Sequence, residues 1–226
     1  MKSYNEFCSL SRALDVIGDR WTMLVVRELL ISPSRYSDLQ RSLPGIASNL
    51  LAQRLRSLED DGVLTCRDEP APVSARVYSL TEWGHRLRGP LVEIARWAVP
   101  LMAAEAGEEH TRGRWLVFAI MALYPSQAEL EHAKGLPTIT ARIDADGDSI
   151  LLVADSTGIH ATTAHPDAAA DVVIEGTSDQ VFRTLSAEKT ALPRARVTGT
   201  DDAVRQLSML NGFAYTHGLT LADGRD

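Results

Sequence analysis

The sequence predicts two domains of different class: a mainly α domain over residues 1–103 and an α+β domain over residues 113–222. Three observations carry this. Apolar residues recur at helical spacing through residues 8–60, each run closed by glycine or proline. Two short β-type runs then follow, at 63–66 and 75–80. Beyond a small, polar stretch, "AAEAGEEHTRG", strand and helix patterns are mixed in the manner of an α+β domain.

Composition bounds the function. A chain of 226 residues, 45% of them hydrophobic, has enough apolar side chains for a core and is not globally disordered. Two cysteines, Cys8 and Cys66, cannot form a disulfide framework. No apolar run approaches the roughly 18 residues of a membrane-spanning helix. Residues 1–5 are polar and unlike a signal peptide. A cytoplasmic protein with no membrane contact is expected. The net charge of -7 is uneven: residues 1–100 hold 13 Lys+Arg against 12 Asp+Glu, and the remainder 10 against 18. Nucleic acid responds to a local positive face rather than to that sum.

The first helix covers residues 8–17, with Leu10, Ala13, Leu14 and Ile17 on one side and Gly18 as its break. The second covers 20–31 with a buried face of Trp21, Leu24, Val25 and Leu29. Ser32-Pro33-Ser34 stops it, and a short third helix carries Tyr36, Leu39 and Leu43 up to Pro44-Gly45. The fourth runs from Ser48 to Asp60. Leu51, Leu55 and Leu58 form its core stripe and Gly62 closes it. Val63–Cys66 and Ala75–Leu80 read as strands. Arg67–Pro72 reads as a loop, because a central strand tolerates no proline. Thr81 suits a cap. The helix after it passes through Leu87, Leu91, Ile94, Trp97 and Leu101, kinked at Pro90 and ending near Pro100. It serves either dimerisation or intramolecular packing.

In the second domain "RWLVFAIMALYP" reads as an apolar helix. Strands follow at 138–144, 149–154 and 158–163, with turns at Gly147 and Gly158. "ADVVIEGT" is a fourth strand. "SDQVFRTLSAEK" is a helix led by Ser178, with Val181, Phe182 and Leu185 inward. "RARVTGT" is a fifth strand, and a last helix opens at Asp201-Asp202.

The helix Ser48–Asp60 carries more than a core stripe. Asn49, Gln53, Arg54 and Arg56 are left for other faces, with Ser48 at its start. Asn and Gln can pair with adenine edges and Arg with guanine in the major groove, and a helix N-terminus suits a phosphate. A preceding helix and tight turn would present this one as a recognition helix. Ser34, Arg35, Ser37 and Arg41, on or near the third helix, are candidate phosphate contacts, and Arg76 near the hairpin tip a minor-groove or phosphate contact. The alternative is a merely solvated helix face. Helices followed by a hairpin make the first domain a mainly α winged helix-turn-helix.

These residues carry a resemblance. "CSLSRALDVIGDRWTMLVVRELL", "RYSDLQRSLPGIASNLLAQRLRSLEDDGVLTC" and "VYSLTEWGHRL" resemble the HxlR family of bacterial winged helix-turn-helix regulators. The likeness covers residues 6–100 and implies a dimeric transcription factor, often a repressor. The family's first-helix cysteine falls on Cys8, its tryptophan on Trp21, and its Pro-Gly-Ile on Pro44-Gly45-Ile46. Asp19-Arg20 replaces the usual Gly-Lys, and Ala47-Ser48 the usual Ser-Pro. Some members use the first cysteine as a thiol sensor of oxidants or electrophiles, which makes Cys8 a candidate with Arg12 one turn away. A buried, inert Cys8 is the alternative. Cys66 belongs with the core.

"AHPDAAADVVIEGTSDQVFRTLSAEKTALPRARVTGTDDAVRQLSML" resembles the sterol-carrier-protein-2-like (SCP2-like) domain. That implies an α+β unit that encloses an apolar tunnel or has lost it. Trp115, Phe118, Met121, Phe182, Leu185, Met209 and Phe213 are candidate pocket residues or ordinary core. No histidine pair has H-x-x-x-H spacing, and C-x-x-C, G-x-S-x-G and glycine-rich phosphate loops are missing. No metal, cofactor or enzymatic activity is expected. The expected function is a homodimeric repressor on an inverted repeat of double-stranded DNA, modulated by a small hydrophobic ligand in the second domain. The alternatives are a thiol-sensing regulator and a dimeric interaction protein that binds no DNA.

Overall fold

The computed structural model describes residues 3–69, 75–102, 110–124, 137–186 and 193–214. It divides into two units, residues 1–91 and 92–226. That division lies between Leu91 and Val92, and residues 103–109 of the linker expected at 103–113 lie outside the described residues.

The first unit contains α1 (Ser9–Ile17), α2 (Thr22–Ile31), β1 (Ser34–Arg35), α3 (Tyr36–Ser42), α4 (Ser48–Asp60), β2 (Leu64–Glu69), β3 (Ala75–Leu80) and α5 (Glu82–His85). In α4 the leucine stripe is fully buried, with Leu51, Leu55 and Leu58 at 1% exposure or less. The helix ends at Gly62, whose φ of 72° suits a residue without Cβ. The Gly62 N–H donates to the Glu59 carbonyl at 3.0 Å and the Val63 N–H to the Leu58 carbonyl at 2.8 Å. That pair closes the helix as a Schellman motif, with buried Val63 against Leu58.

Three differences from expectation arise here. β2 continues through Arg67, Asp68 and Glu69, paired with Val77, Arg76 and Ala75, so those residues are strand and not loop. Pro70 and Pro72, which prompted the loop reading, lie beyond the strand and outside the described residues. Second, Ser34 and Arg35 add a short strand on the other side of β3, in the order β1-β3-β2. Two residues are too few to show alternation in a sequence. Third, the stripe expected on α1 is not buried: Leu10 and Leu14 face outward, and Ser11 is the buried residue of that helix. In contrast, α2 is buried around most of its circumference, Glu28 included, and that carboxylate accepts from Arg27 Nη2 at 2.8 Å.

Thr81 caps as expected, accepting from the Gly84 N–H at 3.0 Å. Its hydroxyl also donates to the Gly62 carbonyl at 2.8 Å. The helix it starts is only α5. A new one, α6 (Arg88–Ala98), follows, continued by a 3-10 turn over Val99–Met102. Proline lacks the N–H for an interior position. Restarting at Arg88 puts Pro90 in a first turn, where no N–H is needed.

The second unit begins within α6. It holds a 3-10 turn (Gly113–Trp115), α7 (Leu116–Leu123), β4 (Ile139–Ala145), β5 (Asp148–Asp155), β6 (Gly158–Thr163), β7 (Val172–Gly176), α8 (Ser178–Leu185), β8 (Arg196–Gly199) and α9 (Asp201–Asn211). The five strands lie in the order β6-β5-β4-β7-β8, antiparallel except for β4 beside β7. Burial alternates strictly along β4, so one sheet face meets the core. On that face α7 packs at β6, α8 at β7, and α9 at β4 and β8. The α8 cap is Thr177, one residue before the expected Ser178, in a capping box with Gln180. Arg96 donates to the Tyr124 carbonyl at 3.1 Å and the Ala122 carbonyl at 3.3 Å at the end of α7, and Val99 is buried. The helix expected to serve dimerisation or packing does the second on this side. Its Ile94, Trp97 and Leu101 remain exposed.

A buried polar tie joins three helices of this unit. The Tyr124 hydroxyl donates to Asn211 Oδ1 at 2.8 Å, and Asn211 Nδ2 to the Thr184 carbonyl at 3.1 Å. Burial pushes the Tyr124 hydroxyl well above its ordinary pKa, so it stays a neutral donor. Tyr124→Phe leaves the Asn211 oxygen without that donor. We expect a loss of about 1 kcal/mol in denaturant unfolding, and an unchanged midpoint would show the tie to be energetically silent.

Among the described residues no helix is long and apolar enough to cross a membrane.

Candidate nucleic-acid interface

The helices α3 and α4 are joined by a turn over residues 43–47. Leu43 and Ile46 pin the turn to the core at 1% and 5% exposure, and Gly45 reverses the chain at φ 89°. Two polar side chains of α3 then fix the position of α4. The Tyr36 hydroxyl donates to the Ser48 carbonyl at 2.7 Å, and Gln40 Nε2 to the Ile46 carbonyl at 2.8 Å. The sequence placed Tyr36 on the third helix with no polar role and gave Gln40 none. Their i, i+4 spacing on a short helix before a Pro-Gly turn was the available signal.

With α4 held, its outer face is defined. Asn49, Gln53 and Arg56, at i, i+4 and i+7, are all exposed, with Ser48 at the first turn. The Asn49 side-chain oxygen accepts from the Leu50 N–H at 2.8 Å. Beside this face Arg35, Ser37 and Arg41 are exposed, and Arg41 pairs with Asp38 at the surface. Arg76 projects from β3, 3.8 Å from Asp68 across the ladder, with both side chains largely in water. Such a pair is weak, and a phosphate can displace it. Arg67, unassigned in the sequence reading, is exposed on the neighbouring strand.

Two expected contacts are corrected. Ser34 is buried at 7% exposure, and its hydroxyl donates to the Ser32 carbonyl at 3.0 Å. Arg54 does not share the outer face of α4. Five residues from Asn49 is a rotation of about 140° in an α-helix, which turns Arg54 toward the domain. Its Nη2 lies 2.6 Å from Asp19 Oδ2, its side chain is 11% exposed, and its Nε is buried. Arg54 is therefore a strut between α4 and the turn before α2.

Cys8 stands exposed before α1. The backbone N–H groups of Ser11 and Leu10 and the Ser11 hydroxyl draw its thiol below the ordinary value. Arg12, the expected helper, instead faces Asp15 at 3.9 Å. Cys66 lies half-buried on β2 opposite Tyr78, not in the core as expected.

In the second unit Phe118, Phe182 and Leu185 are core, at 5%, 3% and 0% exposure, and Met121 packs against that core. Trp115 and Phe213 are half-buried. Met209 is 59% exposed and does not line a pocket, since the buried face of α9 is set by Ala203, Leu207 and Leu210.

Residues 16–106 match the family model described as HxlR-like helix-turn-helix. The chain is 36% identical over 96 residues to the uncharacterized HTH-type transcriptional regulator YvaP of Bacillus subtilis, covering 42% of this chain and 88% of that protein. It is 30% identical over 95 residues to the HTH-type transcriptional regulator YodB of the same organism, covering 42% and 85%. The solved reduced form of YodB shares 29% identity over 41% of this chain and 92% of that one, with a TM-score of 0.38.

Proposed function

The chain belongs to the HxlR-like helix-turn-helix family, and from that premise we propose that it is a transcriptional regulator reading double-stranded DNA as a homodimer on an inverted repeat. The observation that carries this is the outer face of α4. Three side chains able to pair with base edges, Asn49, Gln53 and Arg56, stand exposed on a helix clamped by Tyr36 and Gln40. Arg35, Arg41 and Arg76 supply phosphate contacts, and Ser37 and Ser48 supply hydroxyl donors. Two copies are favoured by the outward apolar row Phe7, Leu10 and Leu14, at 106%, 66% and 38% exposure, which a soluble monomer would leave in water. Occupancy of a promoter by the dimer would repress it.

The test is selection of bound fragments from genomic DNA, followed by titration of the selected site against a shuffled one. Tight binding to a palindromic site, weakening steeply with salt, is the expected result. Equal affinity for both sequences at every salt concentration would overturn sequence-specific recognition.

For residues 113–222 we propose an SCP2-like α+β module that receives a small hydrophobic ligand. The support is the mixed sheet with helices on one face and the sequence resemblance.

A second reading is favoured by Cys8, whose exposure and lowered pKa suit a thiol that reacts with oxidants or electrophiles. Because the pKa is lowered, the thiolate persists to lower pH than in a free thiol. Iodoacetamide should label Cys8 with a pH midpoint below the roughly 8.5 of an unperturbed cysteine. A midpoint at or above that value would remove this reading.

A further inference from the structure

A cavity of about 570 Å³ lies in the first unit between α1 and the segment around α5, and none of its lining residues belongs to α3 or α4. Its apolar lining includes Val16, Ile17, Val63, Trp83 and Leu87. The volume lies within the range of small-molecule sites.

The charged groups of the lining are unequal. The Asp15 carboxylate accepts from the Tyr4 N–H at 2.9 Å and the Ser3 hydroxyl at 2.7 Å, which hold its pKa down and satisfy its charge. The two guanidiniums are held loosely. Arg12 meets Asp15 only at 3.9 Å, and Arg86 meets Glu82 at 3.5 Å with both side chains more than 70% exposed. Pairs of that kind contribute little and exchange readily. An apolar chamber rimmed by two weakly committed guanidiniums is complementary to an amphiphilic anion.

We propose that this cavity is a binding site for a small carboxylate with an apolar tail. The tail lies against Trp83 and Val16, and the carboxylate lies at Arg86 with Arg12 beside it. A second copy of the chain is the less suitable occupant. Ser9, Ala13, Val16 and Ile17 line the cavity at i, i+4, i+7 and i+8 of α1. Leu10 and Leu14 lie about 100° and 140° from Ser9 around α1, beside Ala13 and Ile17, so the outward apolar row borders the cavity, and the two exposed guanidiniums on its rim are what disfavour a second apolar helix there.

The site touches the joint that sets the recognition helix. Val63 follows the Schellman turn of α4, and its carbonyl accepts from the Thr81 N–H at 3.0 Å. Gly84 packs so close that a Cβ there would lie 2.0 Å from the same carbonyl oxygen. A tail that binds one arrangement of this joint better than another shifts the angle between α4 and the wing. This regulatory consequence rests on the proposed DNA-binding function, but ligand binding itself does not.

The test is calorimetric titration of the full chain with three probes of one tail: octanoate, 1-octanol and octylammonium. Octanoate should bind one per chain, about tenfold more tightly than octanol, and octylammonium should bind weakest. Arg86→Gln should remove the preference for octanoate. Val16→Phe should remove binding of all three. Equal affinity for the three head groups, or a head-group preference unaltered by Arg86→Gln, would overturn the proposal. So would octanoate binding that vanishes as the chain self-associates, which would assign the cavity to a second copy. Arg86 is a rim residue, so that variant keeps the test decisive if Val16→Phe does not fold. Octanoate binding without any DNA binding would sustain this site and sink the proposed function, whereas the reverse result would do the opposite.

Discussion

Replacing both Asn49 and Gln53 with alanine should weaken binding to the selected DNA site about a hundredfold, with the fold unchanged. Each bidentate contact to a base edge is worth about 1–3 kcal/mol, and a tenfold change is about 1.4 kcal/mol. Both side chains are exposed on one face of α4, and the core stripe lies on another. Truncation therefore removes no packing. The companion variant Arg41→Ala should weaken the selected and shuffled sites alike, because a phosphate contact carries no sequence information. Titration of all variants at one salt concentration, beside circular dichroism, separates these outcomes. A double variant that binds both sequences as the wild type does would show the outer face of α4 to be solvated surface.

Arg54→Ala should act on stability instead. The Arg54 side chain is 11% exposed and paired with Asp19, whose side chain is 28% exposed. Losing one partner of such a pair leaves the other partly buried without its counter-charge. Asp19 retains some water, so the expected loss is about 2 kcal/mol, below the 3–5 of a fully buried pair. Asp19→Asn should cost less, and the two changes together should fall short of additivity by about 1 kcal/mol or more. Affinity of the folded Arg54→Ala protein for its site should change by less than about tenfold. If this variant melts like wild type yet no longer binds the site, Arg54 reads DNA and the strut assignment is wrong.

Arg54 also shows where sequence reading stops. Asn49, Gln53, Arg54 and Arg56 are equally polar, and periodicity separates them only by angle. Whether an off-face arginine reaches water or an acid depends on Asp19, 35 residues earlier in the chain. That proximity is a product of folding. The same limit applied to α1, where Leu10 and Leu14 of the apolar stripe stay exposed among the described residues, and to β1, a strand of two residues paired through β3. Met209 was a comparable case, apolar in type but two residues from Leu207 and so turned outward.

By itself the sequence determined the elements whose information is local. The limits of α4 follow from three leucines and Gly62, the cap of α5 from Thr81, the turn of the β4–β5 hairpin from Gly147, and the mixed class of the two halves from their hydrophobic periods. The family follows from motifs in the first half alone. Tertiary structure decided everything that depends on residues distant in the chain: the strut at Arg54, the clamp of Tyr36 and Gln40 on α4, the division between Leu91 and Val92, and the cavity beneath α1. The physical reason is the range of the forces involved. Backbone hydrogen bonds and caps act over a few residues, whereas burial and charge pairing are settled only when separated segments meet.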